Sequence, residues 1–493
     1  MGNTHSQSSL ESCIQSLAGN RALSSFAAFP GSPTYKTDWA RLYNLNFAVV
    51  PAAVARPETA EDVAGLVKCA RENGVRVQAK SGGHSYGNYG LGGVDGVLSI
   101  DMVNFQHFSM DNDTGVVTVG AGMPINVLNQ KLQNAGGRAI PHGIAPGIGI
   151  GGHAGIGGIG TMSRMWGTTL DHVIKMQVVT ADGEIRTVNK SSEPDLFWAL
   201  RGAAPSFGII TSLTLITHPA PSPIAQYETT LSFSPTTLSS APLYSVWQQL
   251  ISDPSLDPRF GSLFILTPMG SLITGTFYGS QSEFEDSGIP ERFPDGMQPH
   301  VQMTDWLGAG AHLAGQMGKW MLSTQTGFFV KSLAFRRNEL PSSLDVQEIF
   351  KWIDDQDKGT ILWFCVFEAV GGKMNEVSVE DTAFVHRDKT VVWQVWAVVP
   401  SMEGNSVLVD KARKFVAGLK DQFMKYAKGV DGMYPGYVDP EMGEESGQRM
   451  YWGRNLERLE ELKRVWDPEE RFWNPQSVRP ADKFSGKKRL GVS

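Results

Sequence analysis

The sequence has few cysteines, no excess of basic residues and no long apolar run, and each shortage excludes a class of protein. Its three cysteines, Cys13, Cys69 and Cys365, form no C-x-x-C or His/Cys cluster, so neither a metal site nor a disulfide framework is predicted. The formal net charge of −7 argues against a nucleic-acid partner. No apolar stretch approaches the ~18 residues of a transmembrane helix.

The N-terminus lacks the basic region and apolar segment of a secretory signal peptide, so a cytoplasmic location is predicted. Gly2 and Ser6 match the M-G-x-x-x-[ST] pattern of N-myristoylation, but a disordered polar start is the simpler interpretation. A single acyl chain would give only weak membrane association. The first element we predict is a short helix near Leu10 to Leu17.

The 493 residues, 41% hydrophobic and 19% charged, suit a globular protein of two or three units. A Pro-rich stretch near residue 220 and a change of pattern near 430 predict segments 1–220, 221–430 and 431–493. In the first segment, Thr59 opens a predicted helix, VRVQAK is a predicted strand, and Asp182-Gly183 marks a hairpin turn. In the middle segment, alternating strands and helical runs predict an α+β unit built on an antiparallel sheet.

Glycine is abundant, at 54 residues, and is concentrated in three loops at 81–93, 143–160 and 202–208. Glycine permits positive φ and lets backbone N–H groups approach a phosphate closely. Three such loops in one half of the chain favour a large dinucleotide cofactor over three unrelated turns. The stretch 141–167 is too rich in glycine to predict a packed helix. The G-x-G-x-x-G spacing after the first strand is absent, so an NAD-binding Rossmann unit is not supported.

Four motifs carry a family resemblance: RVQAKSGGHSYGNYG, GIAPGIGIGGHAGIGGIG, ALRGAAPSFGIIT and F-x-NPQSV. Together they resemble the FAD-linked oxidases of the vanillyl-alcohol oxidase superfamily. More closely they are similar to the berberine-bridge-enzyme-like group, with its fungal oligosaccharide-oxidase-type members. The resemblance implies an α+β fold and FAD as cofactor. It also implies a two-lobed FAD-binding domain of the PCMH type, formed by both ends of the chain, around an inserted α+β substrate domain built on an antiparallel sheet.

The resemblance implies that His84, which follows Ser-Gly-Gly, is joined through its imidazole to the 8α-methyl group of the flavin. A neutral imidazole is a competent nucleophile near neutral pH. Without the surrounding motifs, His84 would read as a polar turn residue. Many relatives hold the flavin a second time through a cysteine, and Ala145 occupies that position here, so a single link is predicted.

The resemblance also implies a set of cofactor-binding residues that lie in the glycine-rich motifs and near the C-terminus. His153 reads equally as a flavin or substrate contact and as a structural residue of its loop, and His142 is ambiguous in the same way. The predicted set is Ser81, Gly82, Gly83, His84, Ser85, Tyr86, Gly90, Gly143, Ala145, Gly147, Gly149, Gly151, Gly152, His153, Gly157, Gly158, Gly208, Ile209, Ile210 and Asn474.

YPGYVDP resembles the family's Y-x-N-Y motif, whose tyrosine lines the substrate face of the flavin. Tyr434 and Tyr437 are therefore candidate catalytic bases, provided that the pKa of one of them is lowered from ~10. The alternative is that both are packing tyrosines. The family asparagine is replaced by Gly436, which weakens the assignment, and the motif alone does not decide between the two tyrosines.

The strand HRDKTVVWQVWAVV resembles the family segment over the flavin and gives Trp393, Gln394 and Val395 as substrate residues. If Trp393 and Val395 face the site, the site is apolar and aromatic, with Trp363 as a further wall. For each tryptophan taken singly, an ordinary core position is the better interpretation.

These features predict an FAD-dependent oxidase acting on an alcohol, amine or activated C–H of a hydrophobic small molecule. Hydride would pass to flavin N5, with O2 as acceptor giving H2O2, in secondary-metabolite tailoring. The alternatives are a natural-product cyclase on the same scaffold, oxidative or redox-neutral, and a carbohydrate oxidase. A flavin-binding protein without turnover and an NAD-dependent dehydrogenase are weaker interpretations.

Overall fold

The computed structural model of the protein describes residues 2–232, 236–318, 326–399 and 406–481. Helices and short strands alternate in the part before residue 220. Its helices are α1 (Gly2–Ala18), α2 (Leu23–Phe26), α3 (Ala60–Glu72), α4 (Ile125–Asn134), α5 (Ile150–Ile156), α6 (Ser163–Trp166) and α7 (Pro194–Ala203). Its strands are β1 (Ala27–Ala28), β2 (Ala53–Ala55), β3 (Val77–Lys80), β4 (Leu98–Asp101), β5 (Phe108–Asp111), β6 (Val116–Gly120), β7 (Arg138–Ala139), β8 (Val173–Val179), β9 (Ile185–Asn189), β10 (Ile209–Ile216) and β11 (His218–Pro219).

The part from residue 224 onwards has longer strands. These are β12 (Ile224–Ser232), β13 (Phe260–Thr267), β14 (Gly270–Phe277), β15 (His300–Thr304), β16 (Phe328–Phe335), β17 (Trp363–Ala369) and β18 (Val391–Val398). The accompanying helices are α8 (Ala241–Ile251), α9 (Gln281–Asp286), α10 (Trp306–Gly318), α11 (Ser343–Asp355), α12 (Lys373–Glu376) and α13 (Ser406–Tyr426). The chain then adds α14 (Glu444–Trp452) and α15 (Leu456–Trp466).

Two sheets form the scaffold of the first part. The strands of one run in the order β1-β2-β4-β3, with β2, β4 and β3 parallel and β1 antiparallel at the edge. The other is antiparallel, in the order β5-β6-β10-β8-β9. The predicted hairpin is confirmed as β8 and β9, with Gly183 at φ +77° in its turn. The predicted helix after Thr59 is confirmed as α3. The Thr59 hydroxyl accepts from the Asp62 N–H at 3.1 Å in a capping box, an arrangement that stabilises a helix by about 1 kcal/mol.

A seven-stranded sheet dominates the second part, in the order β15-β12-β14-β13-β17-β18-β16. All its neighbouring strands are antiparallel, as predicted. One face is covered by α8, α11 and α13, whose aromatic side chains pack onto the sheet. The opposite face turns toward the first part of the chain. The α+β class is therefore confirmed, while the division at residues 220 and 430 into separate domains stays a prediction.

The C-terminal segment returns to the first part of the chain and is fixed there by a buried cation. The Lys463 ammonium group is fully buried, lies 2.6 Å from an Asp467 carboxylate oxygen and donates to the Ser206 carbonyl at 2.6 Å. A second buried ion pair, Arg387 with Asp171 at 2.7 Å, joins the two large parts. Such pairs fix geometry more reliably than they add net stability, because burying the charges has its own cost.

The N-terminal residues differ from the sequence prediction in two ways. The helix α1 starts at Gly2 instead of near Leu10. Cys13 on α1 and Cys69 on α3 form a disulfide with a Cα–Cα distance of 5.8 Å, so the expectation of no disulfide is wrong. The two cysteines are 56 positions apart in sequence and meet only because α1 packs along α3, a contact that cysteine spacing does not predict.

The expectation that no packed helix forms within 141–167 is also wrong, because α5 is a buried helix. Its glycines are what allow the packing. A Cβ atom on Gly151 would lie 2.6 Å from the Ala121 carbonyl oxygen, and one on Gly155 would lie 2.7 Å from the Ala204 Cβ. Close approach of the backbone therefore outweighs the low helix propensity of glycine. Among the residues that the structure describes, no helix is long and apolar enough to cross a membrane.

Candidate active site

A cavity of about 250 Å³ lies where the glycine-rich loops meet the face of the large sheet that α8, α11 and α13 leave uncovered. Five parts of the chain build most of it: the segment around His84, the loop and helix around Ala145, the loop at 203–206, the strands β17 and β18, and the C-terminal segment that holds Tyr434 and Asn474. The predicted site residues in its wall are Ser81, Gly82, Gly83, His84, Ser85, Tyr86, Gly90, Gly143, Ala145, Gly149, Gly152, His153, Gln394, Tyr434, Tyr437 and Asn474.

The first two glycine-rich loops interlock so tightly that side chains are excluded. A Cβ atom on Gly82 would lie 2.3 Å from the Gly147 carbonyl oxygen and 2.3 Å from the Gly149 nitrogen. One on Gly149 would lie 1.9 Å from the Ser81 hydroxyl oxygen. Glycine is therefore required at these positions by space, and the two backbones together form one wall of the cavity.

His84 stands in this wall with an imidazole that carries no charge near neutral pH. Burial lowers the pKa of His84 to about 4. Its ring centroid lies 4.8 Å from that of Tyr43, and neither ring nitrogen makes a hydrogen bond with any described residue. A neutral imidazole with uncommitted nitrogens, placed at a cavity edge, has the chemistry of a nucleophile.

His153 and His142 hold the second loop in shape. The Gly143 N–H donates to His153 Nε2 at 2.9 Å, so the neutral ring carries its proton on Nδ1. His142 Nδ1 lies 2.7 Å from the Gly143 carbonyl oxygen, and its Nε2 lies 2.6 Å from the Asn129 amide nitrogen. Burial lowers the pKa of His153 to about 3 and that of His142 to about 4. His153 therefore stabilises its loop and also lines the cavity, while His142 stabilises the same loop without lining the cavity.

Seven of the predicted cofactor residues are not part of the cavity wall. Gly151 is turned toward Ala121, Gly208 toward Val178, and Ile209 belongs to the core beside β3. Gly157 and Gly158 sit beneath Tyr434, and the Gly158 N–H donates to the tyrosine. The seven are Gly147, Gly151, Gly157, Gly158, Gly208, Ile209 and Ile210. A glycine-rich motif contains positions that pack the loop as well as positions that face a ligand, and spacing alone does not separate the two.

None of the three cysteines reaches the cavity. Cys13 and Cys69 are joined to each other and are not part of its wall, and Cys365 is buried on β17 with its side chain toward the helix-covered face of the sheet. Ala145 lies in the cavity wall at the position where the resemblance places a second flavin link. In the described part of the chain, no thiol lines the cavity where it could form a second flavin link. The single link through His84 stays a prediction.

The two candidate tyrosines have different partners. The Tyr434 hydroxyl oxygen accepts a hydrogen bond from the Gly158 N–H at 3.0 Å. The Tyr437 hydroxyl donates to Glu368 Oε2 at 3.1 Å. Burial raises the pKa of Tyr434 to about 12 and that of Tyr437 well above its usual value. A tyrosine that acts alone as a base needs a lowered pKa, and neither Tyr434 nor Tyr437 has one.

Glu368 is the ionisable residue among the wall positions that the sequence did not predict and that the proposed chemistry uses. It lies on β17, is 4% exposed, and shares the cavity-facing side of the strand with Val366. Burial raises the pKa of this carboxyl group to about 7. A signal was present in the sequence, because Glu368 is the single charged residue in the apolar strand WFCVFEA. A buried carboxylate without a cation is uncommon and marks a functional position.

The alternation of β18 corrects the substrate residues. Gln394 faces the cavity, and its Oε1 accepts from the Tyr86 hydroxyl at 3.0 Å and from Trp396 Nε1 at 2.8 Å. Trp393 and Val395 point to the other face, where the Trp393 ring packs 4.6 Å from Phe423 on α13.

The tryptophan on β17 follows the same rule. The ring of Trp363 packs 5.5 Å from Phe415, again on the helix side of the sheet. The sequence pattern located the strands but not which set of alternating residues faces the ligand. Trp393, Val395 and Trp363 therefore form no part of the cavity wall.

The cavity suits a bound FAD. Its glycine cradle has no room for side chains, its edge carries the neutral imidazole of His84, and the buried Tyr89 hydroxyl in its wall has no hydrogen-bond partner among the described residues. Buried polar atoms are normally satisfied, so an unpartnered hydroxyl in a cavity wall points to a missing ligand.

Comparison with known proteins points the same way. A family model described as "FAD binding domain" matches residues 51–189, and one described as "Berberine and berberine like" matches residues 433–479. The FAD-linked oxidoreductase sorD of Penicillium rubens is 34% identical over 95% of this chain and 97% of its own length. The chitooligosaccharide oxidase of Gibberella zeae is 30% identical over 91% of each chain.

Solved structures agree over nearly the whole chain. A chitooligosaccharide oxidase superposes with a TM-score of 0.85 and 28% identity over 96% of this chain and 100% of its own. The Acremonium strictum glucooligosaccharide oxidase, whose crystal structure is described as revealing "a novel flavinylation", gives a TM-score of 0.85 and 28% identity over 96% of this chain and 98% of its own. The predicted PCMH-type FAD fold is thereby confirmed. The chain belongs to the berberine-bridge-enzyme-like FAD-linked oxidoreductases of the vanillyl-alcohol oxidase superfamily.

Proposed function

We propose that this FAD-linked oxidoreductase oxidises a hydroxyl-bearing small molecule, and that Tyr437 and Glu368 together remove the hydroxyl proton. The observation that supports this most directly is the hydrogen bond from the Tyr437 hydroxyl to Glu368 Oε2 inside the cavity. When bound, FAD supplies an acceptor for the two electrons that leave the substrate carbon as hydride. The chain itself must then take up a proton, and this pair is placed to do so.

Glu368 compensates for the high pKa of Tyr437. Tyr437 alone is a poor base because burial raises its pKa. Glu368, with a pKa of about 7, is partly ionised at neutral pH and can accept the Tyr437 proton as the tyrosine oxygen receives one from the substrate. A base whose pKa lies near the working pH is the efficient arrangement for proton transfer.

Two other side chains orient the substrate under this proposal. The Tyr434 oxygen already accepts from the Gly158 N–H, so its own O–H remains available as a donor. Gln394 Oε1 accepts from two donors, so the N–H groups of its amide are the part of this side chain left for a substrate. Both groups favour a substrate with an acceptor oxygen next to the oxidised carbon.

The proposed body of the substrate is compact and largely apolar. The cavity wall carries the side chains of Ile144, Ile156 and Val366 and the rings of Tyr43 and Tyr86. Relatives named as FAD-linked oxidoreductases occur in Penicillium rubens and Metarhizium anisopliae, which suits a tailoring step on a natural product. A carbohydrate oxidase is the second candidate. It is favoured by the polar trio Tyr437, Glu368 and Gln394 and by the names of several relatives.

Peroxide release separates the two candidates, with O2 as the proposed acceptor. The enzyme is supplied in parallel with aromatic and polyketide-like alcohols and with chito-, xylo- and gluco-oligosaccharides. Peroxide is expected with the first group. Peroxide with the oligosaccharides alone would establish the second candidate, and substrate consumption without peroxide or flavin reduction would instead indicate a redox-neutral cyclase.

The proposed flavin link predicts that His84→Ala releases the cofactor on denaturation. In a denaturing gel, flavin fluorescence is expected to stay with the wild-type band and to leave the His84→Ala band, because the imidazole nitrogen forms the bond. His300→Ala, on the exposed edge strand β15, is the matched control and is expected to keep the fluorescence. A dark wild-type band, or a fluorescent His84→Ala band, would contradict the link.

For the location of the protein we propose a compartment that permits disulfides, in place of the cytoplasm predicted from the sequence. Disulfides persist in oxidising surroundings and are rare in the reducing cytosol, and Cys13 and Cys69 are joined.

A further inference from the structure

The segment before the first glycine-rich loop brings Tyr43 to His84, and neither the family match nor the sequence motifs assign it a role. Tyr43 lies outside the stretch 51–189 that the FAD-binding family model covers. Its ring centroid is 4.8 Å from that of His84, with the planes tilted by 39°. The side chain lines the cavity beside the imidazole.

The imidazole of His84 is held by packing alone. It makes no hydrogen bond with the described residues. On one side stands the Tyr43 ring. A Cβ atom on Gly147 would lie 2.9 Å from His84 Nε2, so the ring also rests close to the bare Gly147 backbone. Since no hydrogen bond with a described residue fixes its orientation, packing contacts, these two among them, set where the ring nitrogens point.

The backbone at Tyr43 is fixed by a pair of buried amides. The Tyr43 N–H donates to Asn88 Oδ1 at 2.8 Å. The Asn88 amide nitrogen donates to the Asn44 carbonyl at 2.8 Å, and the Asn44 amide nitrogen donates to the carbonyls of Tyr86 and Phe328, each at 3.1 Å. Asn44 is fully buried and Asn88 is 3% exposed.

This amide pair ties three parts of the chain together: the arm that carries Tyr43, the loop of His84 and Tyr86, and β16 of the large sheet. The Phe328 and Tyr43 rings also pack edge to face, with centroids 5.8 Å apart. The tyrosine is therefore a rigid surface. A mobile side chain could not hold a neighbouring ring in one orientation.

We propose that Tyr43 is a positioning residue for attachment of the flavin, holding the His84 imidazole in the orientation from which its nitrogen bonds the 8-methyl carbon. This inference rests on the proposed link through His84. In that step a C–N bond replaces one C–H bond of the methyl group. The hydrogens lost from the methyl group and the imidazole appear on the flavin ring, which gains two electrons. Dioxygen then reoxidises the ring and leaves as hydrogen peroxide.

The flat ring should matter in this role, and the tyrosine hydroxyl should not. Misplacing a reacting group by about 1 Å costs up to about a hundredfold in rate. We therefore expect Tyr43→Ala to link flavin at least about tenfold more slowly than the wild type. Tyr43→Phe keeps the ring and is expected to link at the wild-type rate.

The test follows the linked fraction, which is the flavin that stays with the chain after acid denaturation divided by total bound flavin. It is measured on purified FAD-loaded protein and during incubation with added FAD. The ratio is insensitive to a mere loss of binding, and the Tyr43→Phe rescue separates a positioning role from a structural one. His84→Ala sets the zero of the scale.

Gly147→Ala tests the same idea through the second contact of the His84 ring, in case Tyr43→Ala does not fold. Its methyl group would press on the imidazole, so a slower rise of the linked fraction is expected. Wild-type rates in Tyr43→Ala, or in Gly147→Ala if that variant alone folds, would overturn the inference while leaving the His84 link intact. A wild-type protein with no linked flavin would instead refute the proposed link, and the role of Tyr43 with it.

Discussion

Replacing Glu368 by glutamine is expected to lower kcat/KM by about a thousandfold while leaving FAD bound and linked. A general base contributes typically about 10²–10⁴-fold to a reaction of this kind. Glutamine keeps the shape and can still accept the Tyr437 hydrogen bond through its carbonyl oxygen, but it cannot take the proton. Tyr437→Phe removes the other half of the relay and is expected to cause a loss of similar size.

The double variant distinguishes a relay from two independent contributions. If Tyr437 passes the proton to Glu368, the two groups act as a unit, and the double variant should be hardly slower than either single one. Multiplied losses would show that the two residues act separately. Glu376→Gln makes the same chemical change on the exposed helix α12 and serves as the matched control, with activity expected to be unchanged.

The pH profile provides a second readout of the same proposal. Since burial raises the pKa of Glu368 to about 7 and the base must be ionised, log kcat/KM is expected to rise with pH and level off above about 7. This inflection should disappear in Glu368→Gln. An inflection near pH 7 that survives the substitution would assign the titration to another group and overturn the role of Glu368.

The raised pKa of Glu368 also predicts how the stability of the folded protein changes with pH. Its pKa is higher in the folded than in the unfolded chain, so its favourable contribution is present at low pH and is lost as pH rises through about 7. By pH 8 the ionised, buried group disfavours the folded state by about 3 kcal/mol relative to its protonated form. Glu368→Gln should therefore melt higher than the wild type at pH 8 and close to it at pH 4.5.

Glu368 also shows where prediction from the sequence ended. The motifs placed His84, Ala145, Tyr434, Tyr437 and Asn474 in one cavity although hundreds of positions separate some of them, because each belongs to a local pattern that can be recognised by itself. Glu368 belongs to no such pattern. Its significance arises from the Tyr437 hydroxyl, which a different part of the chain brings to it.

The strand β18 shows a second kind of limit. Its apolar run predicted a strand, but both faces of the strand are buried, so hydrophobicity does not mark which residues face the ligand. A shift of one residue along β18 would turn Trp393 toward the cavity in place of Gln394. Only the packing against the neighbouring strands and α13 fixes which of the two faces it. The glycine-rich helix α5 and the Cys13–Cys69 pair were missed for the same reason, since tertiary contacts decide both.

Removal of the Cys13–Cys69 disulfide is expected to cause the second large effect, a loss of stability. The double variant Cys13→Ser/Cys69→Ser is expected to lose about 4 kcal/mol of stability, because the bond closes a loop of more than fifty residues and so restricts the unfolded chain. The buried side chains of Leu10 and Ile14 hold α1 in place without the bond, so the fold should survive at lower temperature. Wild-type protein treated with a reductant should show the same lowered melting temperature as the double variant.

Counting free thiols tests whether the Cys13–Cys69 disulfide is present in the protein as it occurs in its host. With the bond intact, Cys365 is the one free cysteine in the described residues, and it is buried, so a maleimide should label one site after denaturation and three after reduction. Cys365→Ala should lower both counts by one. If chain isolated from its own host under thiol-blocking conditions shows three free thiols before reduction, the bond is absent there and the cytoplasmic prediction stands. One free thiol would mean that the protein matures where disulfides form, and that α1 is fastened to α3 before the enzyme begins work.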